Sequence, residues 1–335
     1  MKKTKVAING FGRIGRAFFK LAALRSELEI VAVNDLGDKS NLEYLLTYDS
    51  VYGKTGERII KQFRAVEFLQ ERNPENLPWG DLGVEIVVES TGVFTSYEKA
   101  KVHLASGARR VVVSAPVKDN PEDAGVTGAT ILMGVNDDDL KVNDISSNAS
   151  CTTNAGSPVI GILDEVIGIE KAMLNTVHGY TATQKTVDGP SPKDPRRGRA
   201  AAVNIIPTST GAAKATTQAH TQLEDKFDGI ALRVPVPSGS IADITFIAKR
   251  DTSVEEVNEV LSAAAGNARW STVFTVTNEP LVSTDIIGDT HASIADLGMT
   301  RVVGGNLVKV LAWYDNEVGY AQALVEHVIT SGSHI

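Results

Sequence analysis

A glycine-rich turn between an apolar strand and a helix restricts the fold of this chain more than any other feature. The turn, Gly10–Gly15, has the spacing G-x-G-x-x-G; it follows the strand-like residues Val6–Asn9 and precedes the helix-forming residues 16–24. Glycine clusters commonly mark plain turns. Here a second strand-like run ends at Asp35, 20 residues beyond the turn, which is the context of a dinucleotide-binding βαβ unit. The sequence therefore predicts a parallel sheet that binds a dinucleotide.

The same turn indicates which dinucleotide is bound. Gly10, Gly12 and Gly15 permit a tight turn and let the backbone approach the pyrophosphate, which the helix N-terminus then stabilises. Asp35 is expected to accept hydrogen bonds from the adenosine ribose and to repel a 2′-phosphate, and no arginine follows it in residues 36–38. NAD is therefore favoured over NADP as the cofactor.

Further strands and helices alternate through the first half of the chain. Residues 84–92, 110–116 and 130–136 are predicted strands and residues 97–106 a helix, a rhythm typical of a parallel sheet covered on both faces. Residues 48–78 give no clear assignment. Ligands of such sheets bind beyond the carboxyl ends of the strands. Small residues there are often only turn chemistry, but this rule places four residues near the cofactor: Thr91, Gly92, Phe94 and Ser114.

Cys151 is the only cysteine among 335 residues, which excludes an internal disulfide. A lone cysteine is usually a small buried hydrophobe. This one lies in the small polar segment Ser147–Asn154 and precedes apolar residues at helical spacing, where Pro158 suits a first turn. A helix N-terminus favours thiolate over thiol. We interpret Cys151 as a nucleophile.

From about residue 173 the pattern changes to longer, alternating strands with few helices, which predicts a mixed or antiparallel sheet with helices on one face. The fold class is thus α/β with an additional α+β domain. We predict a dinucleotide-binding domain over residues 1–150, a catalytic domain over 151–316 and a terminal helix over 317–335 that packs back on the first domain. His178, at the end of one strand, is the best candidate base for a cysteine nucleophile.

Several cationic or hydroxyl-rich segments of the second half are candidates for anion binding. The segment Thr186–Ala202 is either a solvated loop or a loop that offers guanidinium groups to an anionic substrate; its arginines are Arg196, Arg197 and Arg199. Residues 209–214 form a turn that opens a helix and suits a phosphate. Arg233 lies in an apolar strand and needs an anion, either a carboxylate or a substrate phosphate. Asn316 precedes the terminal helix and is either its cap or a site residue.

Charge and composition exclude other classes. The formal net charge is −8, so dedicated nucleic-acid binding is not expected. No run approaches the roughly 18 apolar residues of a membrane span. The N-terminus lacks the apolar core of a signal peptide, and the expected location is the cytoplasm. No residue pattern predicts a metal site.

Taken together, the motifs resemble the phosphorylating glyceraldehyde-3-phosphate dehydrogenase family. The matching segments run in the family's order from end to end: residues 9–16, 89–94, 147–154, 181–184, 209–214 and 313–317. The resemblance implies that Cys151 attacks the aldehyde of glyceraldehyde 3-phosphate and that His178 raises the reactivity of the thiol. Hydride then passes from a thiohemiacetal to NAD, and inorganic phosphate cleaves the resulting thioester to 1,3-bisphosphoglycerate, as in glycolysis and gluconeogenesis.

The resemblance also implies residue roles and an assembly. Thr181 and Arg233 would hold the phosphate of the substrate. The attacking phosphate would be held by Ser150, Thr152, Thr210, Gly211 and an arginine, Arg197 or Arg199. Matches to the family's NAD contacts are Arg13, Ile14, Asp35, Arg72, Ser114 and Asn316. Family members are homotetramers in which the loop around residues 180–205 packs near the neighbouring subunit's cofactor.

Three alternatives remain open at this point. Erythrose-4-phosphate dehydrogenase, which acts on a substrate one carbon longer, shares the nucleophile segment and the fold. A catalytically silent NAD-binding interaction protein on the same scaffold is expected to lack the nucleophile, its base or the phosphate ligands, and all are present. A cysteine hydrolase leaves the dinucleotide motif without a purpose. The chain departs from the family at Ala155, where relatives often have a second cysteine that is not the nucleophile.

Overall fold

The computed structural model describes residues 3–192 and 194–335, which form two compact units. One unit comprises the chain up to Ala149 together with Ala321–Ile335, and the other is Ser150–Tyr320. Within the described residues no helix combines the length and the apolar character that crossing a membrane requires.

The first unit is built on a seven-stranded, wholly parallel sheet. Its strands are β1 (Thr4–Asn9), β2 (Leu28–Asn34), β5 (Glu67–Leu69), β6 (Ile86–Glu89), β7 (Arg110–Val113), β8 (Gly128–Thr130) and β9 (Ile145–Ser147); a small separate hairpin has β3 (Tyr48–Asp49) and β4 (Gly53–Lys54). The strand order is β5-β2-β1-β6-β7-β9-β8. The predicted doubly wound parallel sheet is confirmed.

The helices of this unit cover the sheet and enclose an aromatic core. They are α1 (Arg13–Ala22), α2 (Lys39–Thr47), α3 (Glu57–Ala65), α4 (Tyr97–Ala100) and α5 (Val102–Ala105), with 3-10 turns at Pro74–Asn76 and Asp137–Lys141. Phe11 stacks on Phe63 with ring centroids 4.9 Å apart. The apolar side chains Leu324, Val325 and Val328 of the terminal helix belong to the same buried cluster. Removing these surfaces from water is the main driving force that holds the unit together.

Two sequence predictions in this unit need correction. The strand predicted over residues 130–136 ends at Thr130, because the side chain of Asn136 takes up backbone groups that a strand would pair: it accepts from Leu132 N (2.9 Å) and donates to Thr130 O (3.0 Å). Gly134 turns the chain with φ +81°. The helix predicted over residues 97–106 is two short helices, α4 and α5, that meet at Lys101.

The second unit is built on a seven-stranded mixed sheet, as predicted. Its strands are β10 (Ile169–Gly179), β11 (Ile206–Ser209), β12 (Phe227–Val234), β13 (Ser240–Ala248), β14 (Phe274–Thr277), β15 (Ser293–Val303) and β16 (Leu307–Tyr314), in the order β11-β12-β10-β13-β16-β15-β14. The pairs β10–β12 and β14–β15 are parallel and the others antiparallel. Residues of β13 alternate between buried and half-buried, as the period of two requires.

The helices of the second unit are α6 (Cys151–Val166), α7 (Ala212–Ala219) and α8 (Val254–Ala265), with 3-10 turns at Pro195–Gly198, Ala201–Val203 and Thr221–Leu223; α9 (Val318–Ser333) joins the two units in sequence. Ser253 caps α8 by accepting from Glu256 N at 3.2 Å, as predicted. Pro158 does not lie in the first turn of its helix, since α6 already begins at Cys151 and Pro158 is in its interior.

Candidate functional site

The glycines of the first βα turn form a cradle of backbone in the first unit. Gly10 has φ +97°, and a Cβ there would lie 2.6 Å from Thr91 N. A Cβ on Gly15 would lie 2.1 Å from Gly10 O, so the start of α1 can approach the turn only without a side chain. A Cβ on Gly12 would meet no protein atom within 4 Å. The three positions thus provide a turn, an open approach and close helix packing, which is the combination that a pyrophosphate needs.

Charged side chains flank this cradle. Asp35 accepts hydrogen bonds from Phe11 N (2.7 Å) through Oδ2 and from Gly37 N (2.8 Å) through Oδ1, which fixes the carboxylate beside the turn. Arg13 forms an ion pair with Asp49 at 2.8 Å, and Ile14 follows it in the first turn of α1. The N-cap residue, Gly12, makes no side-chain capping bond, so the positive end of the helix faces the cradle.

A cavity of about 370 Å³ adjoins the cradle. Among the predicted cofactor residues, the cavity is lined by Gly10, Gly12, Asp35, Arg72, Thr91 and Phe94. Gly92 is exposed next to Thr91 with φ +73°, and Ser114 donates its backbone N–H to Glu89 O. The group that the cradle suits is elongated and anionic, and an adenine dinucleotide fits this requirement because backbone N–H groups and a helix N-terminus bind its pyrophosphate.

Sequence reasoning did not identify three polar residues that line the same cavity: Asn9, Asn34 and Ser90. The signal was visible, because Asn9 and Asn34 are polar residues at the ends of otherwise apolar strands. Ser90 Oγ donates to Gly10 O at 2.7 Å and so supports the glycine turn directly.

The second unit brings the predicted nucleophile and base together. Cys151 is the first residue of α6, as the sequence predicted, and the N-cap Ser150 accepts from Thr153 N at 3.1 Å. His178 lies near the end of the interior strand β10 and is buried. Its Nε2 is 3.3 Å from Cys151 Sγ, which is hydrogen-bonding distance for sulfur. The two side chains can exchange a proton directly.

Arg233 stands on the other side of the His178 ring. The two residues are register partners on the parallel strands β10 and β12. Arg233 Nη1 lies 2.6 Å from His178 Nδ1 and donates to Gly179 O at 3.1 Å, while its Nε is buried without a hydrogen-bond partner. No carboxylate ion-pairs with it among the described residues, so this guanidinium is free to bind an added anion.

Burial decides the protonation of this group of residues. Burial raises the pKa of the Cys151 thiol. The positive charge of Arg233 lowers the same pKa, but by less. Burial together with Arg233 lowers the pKa of His178 to about 3. Both groups are therefore neutral at pH 7. Burial thus opposes the preference for thiolate that the N-terminus of α6 is expected to give.

Tyr314 connects the nucleophile helix to the sheet beneath it. Its hydroxyl is 2.9 Å from Thr152 Oγ1 and 2.7 Å from Thr176 Oγ1, and its ring packs edge-on against His178 with centroids 5.8 Å apart. Burial raises the pKa of Tyr314, so it stays protonated. The hydroxyl of Thr152, a predicted phosphate ligand, thus contacts Tyr314.

The structure separates the two candidate arginines. Arg197 Nε donates to Thr208 Oγ1 (2.7 Å) and Nη2 to Ser209 O (3.2 Å), next to Thr210 and Gly211 at the start of α7. Its charge is also close enough to influence the pKa of Arg233. Arg199 instead pairs with Asp188 at 2.9 Å in an exposed part of the loop.

The remaining candidates have local partners. Thr181 Oγ1 contacts Thr183 Oγ1 at 2.8 Å, and its backbone N donates to Gln184 at 2.9 Å. Asn316 is not the cap of α9, because Asp315 accepts from the backbone N–H groups of Glu317 and Val318. Asn316 Oδ1 accepts from Ser240 Oγ at 2.7 Å and lies beside Gly179. Across the described ranges, no cluster of three or more His, Cys, Asp or Glu side chains could hold a metal ion.

Comparison with known proteins gives the same picture for both units. The family model for the glyceraldehyde 3-phosphate dehydrogenase NAD binding domain matches residues 4–97, and that for the C-terminal domain of the same family matches residues 150–316. The chain is 47% identical to glyceraldehyde-3-phosphate dehydrogenase 2 of Streptomyces arenae over 99% of each chain. It is 46% identical to the glyceraldehyde-3-phosphate dehydrogenases of Mycobacterium avium, over 99% of each chain, and of Geobacillus stearothermophilus, over 96%.

Proposed function

The chain belongs to the glyceraldehyde 3-phosphate dehydrogenase family of NAD-dependent oxidoreductases, and from this premise we propose that it oxidises D-glyceraldehyde 3-phosphate to 1,3-bisphosphoglycerate. Inorganic phosphate is the second substrate. The observation that carries the proposal is the position of the Cys151 sulfur, 3.3 Å from Nε2 of a buried neutral histidine whose ring also contacts the guanidinium of Arg233. A nucleophile, a base and a phosphate ligand are thus adjacent.

The first step forms a carbon–sulfur bond. Cys151 Sγ attacks the aldehyde carbon while its proton moves to His178 Nε2; the carbonyl π electrons pass to oxygen, which takes that proton back, and a thiohemiacetal results. In the reacting enzyme the ring proton of His178 belongs on Nδ1, where Gly179 O accepts it at 2.6 Å, because only then can Nε2 accept the thiol proton. Engagement of Arg233 by the substrate phosphate favours this arrangement, since it draws the guanidinium away from Nδ1.

The second step oxidises the thiohemiacetal. NAD, when bound, accepts the hydride that leaves this carbon. His178 Nε2 takes the hydroxyl proton at the same time, so the C–O double bond reforms and a Cys151 thioester remains. An oxygen of inorganic phosphate then attacks the acyl carbon, the carbon–sulfur bond breaks, the leaving sulfur takes the proton from His178 Nε2, and the acyl phosphate departs. The role of His178 is thus that of acid and base throughout.

Two anion sites serve these steps. We assign the substrate phosphate to Arg233 and Thr181, since the buried Nε of Arg233 lacks a partner. The attacking phosphate is assigned to Ser150, Thr152, Thr210, Gly211 and Arg197. Arg197 is preferred to Arg199 because it lies against Ser209 beside the N-terminus of α7, whereas the exposed Arg199 already has Asp188 as its partner.

In the first unit, the backbone cradle holds the pyrophosphate of NAD, and Asp35 accepts from the ribose. The proposed contacts are Gly10, Gly12, Arg13, Ile14, Gly15, Asp35, Arg72, Thr91, Gly92, Phe94, Ser114 and Asn316. We accordingly assign cofactor binding to residues 1–150 with 317–335, and substrate chemistry to 151–316. A homotetramer acting in cytoplasmic glycolysis or gluconeogenesis completes the proposal; sedimentation equilibrium tests the assembly.

The reaction is tested by NADH formation at 340 nm with glyceraldehyde 3-phosphate and with erythrose 4-phosphate, each with and without inorganic phosphate. We expect phosphate-dependent turnover with a clear preference for the triose. Cys151→Ser should lower kcat at least about 10³-fold, because a hydroxyl is a much weaker nucleophile than a thiol. Preference for the tetrose assigns the protein to a neighbouring activity, and near-normal turnover by the serine variant contradicts the mechanism.

A further inference from the structure

A row of buried polar side chains crosses the cofactor edge of the parallel sheet. Asn34, Asn9 and Glu89 are the last residues of β2, β1 and β6, and Asn9 is the register partner of both others. They are only 5%, 2% and 1% exposed. Burying amide and carboxylate groups is costly unless each finds hydrogen-bond partners. Three such groups in adjacent register positions therefore form a single network.

At one end of the row, Asn34 binds the backbone of Glu71, the residue before Arg72. Asn34 Nδ2 donates to Asn9 Oδ1 at 2.7 Å. The same amide binds the backbone of Glu71 in both directions: Glu71 N donates to Oδ1 at 2.9 Å, and Nδ2 donates to Glu71 O at 3.0 Å. Glu71 and Arg72 line the cavity beside the glycine cradle. The side chain of Asn34 thus fixes one rim of that cavity to the sheet.

The other end of the row holds Thr91. Glu89 Oε1 accepts from the backbone N of Thr91 at 2.8 Å and also from its hydroxyl. Glu89 Oε2 accepts from Asn9 Nδ2 at 2.6 Å. Because Thr91 lines the cavity opposite the Glu71 segment, the carboxylate links the second rim to the same network.

A buried histidine and tryptophan complete the network behind Glu89. The indole Nε1 of Trp79 is only a donor, and it lies 3.1 Å from His103 Nδ1, so Nδ1 must accept. The proton of the neutral ring is therefore on Nε2, which donates to Glu89 Oε2 at 3.1 Å. The Glu89 carboxylate thus accepts from four donors. Among the residues that the structure describes, no lysine or arginine forms an ion pair with Glu89, and the bond from neutral His103 is a hydrogen bond.

We propose that Asn34, Asn9, Glu89, His103 and Trp79 act as positioning residues for the cofactor, holding the Thr91 rim and the Glu71–Arg72 rim at the separation that NAD requires. The inference rests on the proposed placement of NAD in this cradle, and it assigns no contact with the reacting atoms. Glu89 is the central residue of this network, because its carboxylate accepts four hydrogen bonds and no acceptor faces it. An amide at that position would direct an N–H group at other donors.

The test is direct NAD binding to the purified full-length protein, measured by isothermal titration calorimetry and by quenching of tryptophan fluorescence. Glu89→Gln keeps the shape but loses one acceptor end. We expect its Kd for NAD to rise at least about tenfold, the effect of one lost hydrogen bond to a charged group. At saturating NAD, kcat should stay within about twofold, so that the change appears in Kd and KM for NAD alone.

Asn34→Ala, at the opposite rim, keeps the test valid if Glu89→Gln fails to fold; its Kd should rise at least about fivefold. Ser146→Ala is the matched control, because Ser146 is equally buried in the same unit but bonds His327 at 2.7 Å, outside the row. The Ser146→Ala variant should have a lower melting temperature than the wild type and the same Kd for NAD. Folded variants of Glu89 and Asn34 with wild-type Kd would overturn the inference, whereas a wild-type protein that does not bind NAD would instead refute the proposed cofactor site.

Discussion

Arg233 acts on the thiol of Cys151 through its charge, in addition to the phosphate-binding role proposed above. Burial raises the pKa of Cys151, and the nearby guanidinium opposes that effect. The guanidinium is itself desolvated, which lowers the pKa of Arg233, and in the described residues its charge faces no carboxylate ion-pair partner. A phosphate bound to Arg233 would partly cancel the positive charge that favours the Cys151 thiolate. Arg233 therefore links the reactivity of Cys151 to the presence of an anion.

Replacing Arg233 should change the titration of the thiol. In Arg233→Met we expect the midpoint of the alkylation rate of Cys151 by iodoacetamide, measured against pH without substrate, to move to higher pH, because the charge that stabilises the thiolate is lost. Arg199→Met removes an equal charge from an exposed ion pair with Asp188 and should leave the midpoint unchanged. Equal midpoints in wild type and Arg233→Met would show that the guanidinium does not act on the thiol.

At the scale of elements, two serines occupy the same structural position with different surroundings. Ser150 caps α6 and Ser253 caps α8, each by accepting a backbone N–H three residues on. A Ser→Ala change at an N-cap costs about 1 kcal/mol of stability. Ser253→Ala should therefore lower the urea midpoint and leave kinetics unchanged, whereas Ser150→Ala should lower it similarly and also raise the KM for inorganic phosphate.

We compare the two variants with the wild type in two ways. Steady-state kinetics with inorganic phosphate as the varied substrate gives KM, and urea unfolding gives stability. Both serines cap a helix in the same way, but only Ser150 directly precedes the proposed nucleophile. If both variants keep the wild-type KM for phosphate, Ser150 is a cap alone and the assignment of the attacking phosphate to this turn fails.

Elements were predictable where local pattern and local chemistry agree. The glycine spacing, the apolar runs and Asp35 are all local, so the βαβ unit could be predicted. The strand expected over residues 130–136 failed because its apolar composition matched a strand while the side chain of Asn136 took the backbone partners. Pro158 misled because proline in a helix interior is rare, and here the strongly buried α6 tolerates it.

The site was predictable in its residue types but not in its contacts. Cys151 and His178 stood out by composition, yet their 3.3 Å separation depends on how α6 packs on the sheet. The contact of Arg233 with His178 follows from the register of β10 and β12, which the sequence does not specify. Asn9, Asn34 and Glu89 were ordinary strand-end residues until register aligned them in one row. Register over long sequence separations is what pattern analysis lacks.

Buried neutral histidines affect the whole molecule. Burial lowers the pKa of both His178 and His327 to about 3, and His327 bonds Ser146 and Asn148 within the first unit. An unfolded histidine titrates near 6.5. As the pH falls below about 6.5, these histidines are protonated in the unfolded chain but stay neutral in the folded protein. The free energy of unfolding therefore decreases until the pH reaches about 3.

Lowering the pH should therefore reduce the free energy of unfolding, and replacing a buried histidine should reduce this pH dependence. Each such histidine costs up to about 1.4 kcal/mol per pH unit below roughly 6.5. We expect the urea midpoint to fall between pH 7 and pH 5, and His327→Gln, whose side chain does not titrate, to show a shallower fall from a lower starting value. Parallel pH curves for the two proteins would mean that His327 protonates freely in the native state.

The return of residues 321–335 to the first unit has a consequence for how the protein is made. Arg110, buried in the sheet, donates to Leu140 O (2.6 Å) and to Ser331 O (2.9 Å), and Leu324 packs in the core beside the first strands. On the ribosome, the residues up to 149 emerge long before 321–335. The first unit therefore completes its core only after the intervening unit has been synthesised.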